Sequence, residues 1–260
     1  MTIHTAEERA RALIAGKHLG EVLDLLAEKV APGVSTSTLE DLANEYIEAR
    51  GDSTAFKGYT PDGAARPYPA TLCVSVNEEV VHGIPNENPR ILNEGDIVTL
   101  DLGLTHEGFI VDSALTVAVG KTDQRSYELM DTTRAALAAG IAAAKVGNRI
   151  GDISYAIEQA YEGSGFSIVK VLGGHGVGAA VHEEPWISNV GYPGTGEEIV
   201  AGMVLALEPI ANIGKSAVVL RPDGYTYATR DGSRSAHFEH TILVEESGTT
   251  ILTLRASEAS

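Results

Sequence analysis

Apolar residues recur along this chain at two spacings, one helical and one alternating, and the chain runs through both twice. Residues 5–30 are rich in Ala and Leu, both good helix formers. Ala10, Leu13, Ile14, Val22, Leu25 and Leu26 follow the helical period there, with His18 on the same face. Pro32 and Gly33 end that helix. A second helix is predicted in STLEDLANEYIEARG (37–51), where Ser37 and Glu40 have capping-box spacing and Gly51 supplies a stop. Residues 56–70, FKGYTPDGAARPYPA, hold glycine and three prolines and read as a loop. Strand-like runs follow at 72–76, 97–105 and 109–119.

The pattern then restarts. Residues 125–146 contain AALAAGIAAAK, and 152–162 read DISYAIEQAYE, both helical in period. Strand-like runs return at 167–172, 203–213, 216–220, 225–229, 238–245 and 249–254. Helices then strands, twice over, predict two similar halves around one curved antiparallel sheet, an α+β fold. No linker divides the halves, so residues 1–260 are expected to form one domain.

Composition narrows the function. Acidic residues outnumber basic ones 36 to 19, for a formal charge of −17. That balance argues against nucleic acid or an anionic membrane as the main partner, since phosphate binding needs a basic face. It suits an amine-bearing substrate, although an acidic surface most often serves solubility. Cys73 is the single cysteine, which removes a disulfide framework and a thiolate metal site. The start, MTIHTAEERARALIAG, lacks the apolar core and cleavage motif of a signal peptide, and the chain has no long apolar run. A cytoplasmic protein is expected.

The candidate chemistry begins at IVTLDLGLTHEGFIVDSALTVAV, where strand propensity flanks a polar centre ending in glycine, a hairpin signal. A turn centred between His106 and Glu107 pairs Asp101 directly with Asp112, on one face; a bulge at Gly108 shifts that register by one. Two like charges opposed among Leu100, Leu102, Ile110 and Val111 are unfavourable uncompensated. Either one carboxyl is protonated or a cation sits between them. Downstream, GGHGVGAAVHEEP (173–185) sets His175 among glycines, where a lone histidine is more often structural than a ligand. MVLALEPI places Glu208 inside an apolar run, and SAHFEHTILV sets Glu239 at the entry to an apolar strand. A buried carboxylate must be paired or bind metal. Asp101, Asp112, His175, Glu208 and Glu239 together form a hard, oxygen-rich set that could hold two divalent ions about 3.5–4 Å apart.

Five stretches carry a resemblance to a known family: YPATLCVSVNEEVVHGIP (68–85), GDIVTLDLGLTHEGFIVD (95–112), GGHGVGAAVHEEP, LALEPI and SAHFEHT. In this order and at these intervals they resemble the type I methionine aminopeptidases, metallopeptidases of the pita-bread fold, over nearly the whole chain. The short segment between His182 and Glu208 is similar to type I, whereas type II carries an insertion there.

The resemblance implies residue roles. Asp101 would chelate one metal, Asp112 and Glu239 would bridge both, and His175 and Glu208 would complete the other shell. The ions would be Fe(II), Mn(II), Co(II) or Zn(II). An activated water would be the nucleophile, with Glu208 as its proton acceptor. His82 and His182 would hydrogen-bond the scissile amide and stabilise the tetrahedral intermediate. The methionine side chain would enter a pocket involving Tyr68, Cys73 and Tyr59, with Tyr225 standing where the family commonly has tryptophan. Val181 replaces an aromatic residue of many relatives, and the 60–67 loop is longer than in compact ones. His106, His237 and His240 are assigned no catalytic role.

The function so implied is removal of the initiator methionine from nascent polypeptides whose second residue is small. It would be carried out by a monomer, with transient ribosome association and no nucleic-acid specificity or membrane partner. Two alternatives stand beside it: a proline-specific aminopeptidase of the same fold, and a non-catalytic pita-bread protein that binds polypeptides or ribosomes.

Overall fold

The computed structural model describes residues 1–61 and 63–259. Four helices form where the helical period predicts them: α1 (Ala6–Lys29), α2 (Thr36–Ala49), α3 (Gln124–Ala143) and α4 (Ile150–Ala160). Their ends follow capping chemistry. Thr5 and Glu8 make a reciprocal capping box on α1, and Asp123 caps α3 by accepting from the Ser126 amide.

Two expectations about these helices need correction. The buried stripe of α1 runs through Ala12, Ala15, Gly16, Leu19, Leu23 and Leu26, while Ile14 is exposed. Small residues take that stripe because the C-terminal segment presses on it: a Cβ on Gly16 would lie 2.2 Å from the Leu252 carbonyl oxygen. For α2, the cap is Ser35 rather than Ser37. Glu40 is buried instead, accepting from the backbone amides of Thr71 and Leu72 at 2.8 Å each. It thereby fixes the chain just ahead of Cys73.

The strands are short and numerous. The first half supplies β1 (Ser53–Thr54), β2 (Leu72–Val76), β3 (Glu79–Val81), β4 (Ile97–His106) and β5 (Phe109–Ala118). The second supplies β6 (Ser167–Ile168), β7 (Gly173–Gly176), β8 (Glu183–Ser188), β9 (Val204–Leu207) and β10 (Ile210–Asn212). After these come β11 (Val218–Leu220), β12 (Tyr227–Thr229), β13 (Ser235–His237), β14 (Glu239–Glu245) and β15 (Gly248–Ile251). The expected run at 203–213 thus breaks in two at Glu208 and Pro209, and β1, β3, β7, β8 and β13 appear where none was expected. One antiparallel sheet runs β1-β4-β5-β14-β9-β7-β8, with β2 added on β4 and β15 on β14. It curls so that one face packs on the helices through Leu19, Leu100, Leu102, Val111 and Leu207 among others. The other face carries the polar residues discussed next.

Candidate metal centre and cavity

The β4–β5 hairpin turns one residue later than expected. His106 pairs with Phe109, so the turn is Glu107-Gly108, both with positive φ (46° and 78°), the signature of a tight two-residue hairpin turn. Asp101 therefore lies opposite Ala114, and Asp112 opposite Gly103. Moving the turn centre by one residue moves every partner by two, which preserves the face. The two aspartates are diagonal neighbours on one face rather than a directly opposed pair.

Register carries the rest of the site onto that face. Cys73 on β2 pairs with Asp101, Asp101 with Ala114, and Ala114 with Glu239 on β14. The β14–β9 register, His240 to Leu207, continued by one step sets Glu208 opposite Glu239. His175 on β7 pairs with Ala206, two residues from Glu208 and so on the same face. A single row across the sheet thus runs Cys73, Asp101, Ala114, Glu239, Glu208, with Asp112 and His175 two positions off it.

These residues line a cavity of about 160 Å³, together with Tyr59, Tyr68, His82, His182 and Tyr225. Every site residue singled out from the sequence faces it. So does His237, which sequence reasoning had set aside as structural. Its Nε2 lies 3.6 Å from Glu239 Oε2 and 3.7 Å from Glu208 Oε2. The alternation His237, Phe238, Glu239 was the available signal, because residues two apart on a strand share a face.

The centre is crowded with carboxyl groups away from water. Burial, then the neighbouring Asp112 charge, pushes Asp101 well above the usual carboxylate range. Burial pushes Asp112 up to about 7. Glu208 and Glu239 are raised by burial and by the other carboxylates. The imidazoles move the opposite way: burial, with like charge from neighbouring histidines, lowers His82 to about 4, and His175 and His237 to about 3. All are neutral near pH 7. His175 Nδ1 donates to the Gly176 carbonyl at 2.9 Å, leaving the Nε2 lone pair for the cavity.

Among the described residues, several buried polar atoms here have no hydrogen-bond partner: Asp112 Oδ1, Glu239 Oε1 and both ring nitrogens of His237. One donor atom from each of Asp112, His175 and Glu239 lies within 4.8 Å of the others. Orphaned oxygens, a neutral imidazole with a free lone pair and carboxyls that cannot all ionise alone are what a divalent-cation site presents before its ion. The residues present fit such a group.

The cavity walls come from separate parts of the chain. His82 follows β3 in the left-handed region (φ 60°), and Gly83 beside it lies so close to β2 that a Cβ would meet the Val74 carbonyl at 2.2 Å. His182 stacks edge-on against His175, ring centroids 4.5 Å apart, and its Nδ1 is 2.9 Å from the Tyr59 hydroxyl. Tyr68 and Tyr225 meet edge-to-face at 5.1 Å, and the Tyr225 hydroxyl donates to the Arg66 carbonyl. That bond ties the 60–67 loop to the cavity rim, although residue 62 of that loop lies outside the described residues. Cys73 is buried, and burial raises its thiol well above the ordinary range, so it is a small wall residue and no nucleophile. Phe56, Pro61 and the half-exposed Trp186 complete the mouth, unforeseen from the sequence.

The sequence profile of metallopeptidase family M24 matches residues 10–246. The chain belongs to that family. Among M24 relatives, a methionine aminopeptidase of Clostridium perfringens is 44% identical over 240 residues, covering 92% of this chain and 93% of that protein. One from Aquifex aeolicus is 41% identical, covering 96% and 98%. The crystal structure of methionine aminopeptidase from Thermotoga maritima superposes with a TM-score of 0.92 at 42% identity, covering 97% and 99%. A prolidase from Pyrococcus horikoshii reaches a TM-score of 0.73 at 18% identity, a likeness of M24 fold alone.

Proposed function

We propose that this M24 metallopeptidase removes an N-terminal methionine from polypeptides whose second residue is small. Two divalent ions would be held by Asp101, Asp112, His175, Glu208 and Glu239. The observation that carries this is the row of carboxyl groups on one sheet face, opening into a cavity walled by Tyr68, Cys73 and Tyr225. A cavity of about 160 Å³ is close to the roughly 150 Å³ that encloses a benzene molecule, a fair match for one thioether side chain.

Divalent ions bound there would supply Lewis acidity and lower the pKa of water towards 7. The protein's own groups do the rest. Glu208 takes the proton of the attacking water and passes it to the leaving amine nitrogen as the carbon–nitrogen bond breaks. The Tyr59 hydroxyl, 2.9 Å from His182 Nδ1, would by donating there set the proton on Nε2 and make that atom a donor to the carbonyl oxygen as negative charge grows. Neutral His82, held by the Tyr225 backbone, orients the scissile amide from the opposite wall. The loop tied down through Arg66 excludes water from the methionine side chain.

The protein would act as one domain over 1–260, a monomer in the cytoplasm, on nascent chains and in passing contact with the ribosome. Among the described residues, no helix is long and apolar enough to cross a membrane. The test is hydrolysis of a Met-Ala-Ser peptide by protein loaded with Mn(II), alongside the number of Mn(II) equivalents bound. Cleavage after methionine with two equivalents bound supports the proposal. A preference for a non-methionine residue before proline points to a proline-specific peptidase, and no hydrolysis with any divalent metal points to a binding protein.

A further inference from the structure

A second group of metal-ligating side chains converges outside the cavity, where α1, the turn after α2 and the end of β4 meet. Asp52 Oδ2 lies 2.7 Å from His18 Nδ1, and Asp52 Oδ1 lies 2.7 Å from His106 Nδ1. The two rings meet edge-to-face with centroids 5.5 Å apart. The Asp52 side chain is fully covered, while those of His18 and His106 keep 20% and 16% of their surface. Among the described residues no lysine or arginine pairs with Asp52, in a protein that is rich in acid throughout. A covered carboxylate set between two imidazoles, with no lysine or arginine on it, is a group that calls for a cation.

We infer that His18, Asp52 and His106 bind one divalent transition-metal ion of the zinc class, at a site separate from the catalytic cavity. One donor atom from each residue lies within 4.8 Å of the others. Zinc bonds of about 2.0–2.2 Å set neighbouring tetrahedral donors roughly 3.3 Å apart. The 2.7 Å contacts would therefore open by roughly 0.6 Å as the ion replaces the bridging protons. The two rings remain in reach of solvent, and a water would supply the fourth ligand. Two imidazoles and one carboxylate suit zinc, nickel or copper better than magnesium or calcium.

The ion would reinforce a junction already held by the Asp52 hydrogen bonds and by the pairing of Ser53 with Thr105. His106 is five residues along β4 from Asp101, roughly 16 Å at about 3.3 Å per residue, so the two sites share no ligand. Hydrolysis uses none of these three side chains, which makes the site a staple on the fold.

The test is equilibrium dialysis against micromolar free Zn(II), followed by elemental analysis, of the unmodified protein and a His18→Ala/His106→Ala variant. The variant should hold one zinc fewer per chain and keep its Mn(II)-dependent hydrolysis of Met-Ala-Ser. Equal zinc in both proteins overturns the inference. If the variant does not fold, crystals of the unmodified protein soaked in zinc chloride decide the matter. Anomalous density between the two rings and Asp52 supports the site, and density confined to the cavity overturns it.

Discussion

His237 Nε2 lies 3.7 Å from a carboxylate oxygen of Glu208 and 3.6 Å from one of Glu239, yet among the described residues neither of its ring nitrogens has a hydrogen-bond partner. A neutral imidazole so placed can donate to either carboxylate and hold it in orientation for a cation, at a cost of 10- to 100-fold in affinity when such support is lost, as a rough scale. His237→Ala should weaken Mn(II) binding by about that factor in calorimetric titration. His237→Gln, which keeps a donor, should recover part of it. Unaltered affinity in both would remove His237 from the centre.

The Tyr59–His182 contact separates catalysis from metal binding. His182→Ala should keep the Mn(II) equivalents of the parent while lowering kcat/KM by roughly 10²–10³-fold, the scale of a lost oxyanion donor. Tyr59→Phe should lower it by about tenfold, one neutral hydrogen bond's worth. Loss of metal from His182→Ala would make His182 a ligand and contradict the assignment.

Metal removal should alter how stability depends on pH. Carboxyl groups whose folded pKa is raised contribute stability at low pH that is lost as pH rises through that pKa. Asp112 is raised to about 7, and Asp101, Glu208 and Glu239 well above the ordinary range. The buried histidines, whose pKa values are lowered, act in the opposite sense but only below about 6.5, where unfolded imidazoles take up protons. Asp112 has given up its share by about pH 7, so a fall continuing above that pH belongs to Asp101, Glu208 and Glu239. In chelator, stability and with it Tm should fall as pH rises from about 6.5, clear of the histidines, at about 1.4 kcal/mol per pH unit for each proton released. Mn(II)-loaded protein should hold its Tm over the same range, and a parallel fall in both would exclude the carboxyl cluster as the cause.

Specificity should follow the cavity wall. Met-Gly, Met-Ala and Met-Ser peptides should be cleaved and Met-Lys and Met-Phe should resist, read as kcat/KM. Tyr225→Ala removes about 60 Å² of apolar wall, worth about 1.5 kcal/mol or roughly tenfold in kcat/KM for methionine at about 25 cal/mol per Å². Tyr225→Phe keeps the wall and removes only the bond to Arg66, so it should change rate far less. Equal losses in both would assign the effect to the loop.

What the sequence made legible was chemistry carried by residue type against its background. Aspartate inside strands, histidine among glycines and glutamate inside LALEPI each stand out because the surrounding residues argue for burial. Parity along a strand is robust as well, which is why Asp101 and Asp112 share a face despite a misplaced turn. Register was not legible, because Glu107 in the left-handed region gives no local sign as clear as an Asn-Gly pair would. Nor was the choice between Ser35 and Ser37 as cap. Glu40 fits a capping box in sequence, but its carboxylate is taken by the amides of Thr71 and Leu72, partners about thirty residues away that only the fold supplies. His237 was set aside because a lone histidine beside Glu239 has no distinguishing neighbours until β13 and β14 are seen to meet the same cavity.

Glu239 sits in the middle of the carboxyl row, and both proposed ions depend on it. The most direct measurement is therefore the number of Mn(II) equivalents bound by Glu239→Gln beside the unmodified protein, with hydrolysis of Met-Ala-Ser recorded on the same samples. The substitution keeps size and removes one charge, so at least one equivalent and nearly all turnover should be lost while the fold is retained by circular dichroism. Full metal content with undiminished hydrolysis would contradict a dinuclear centre built on Asp101, Asp112, His175, Glu208 and Glu239.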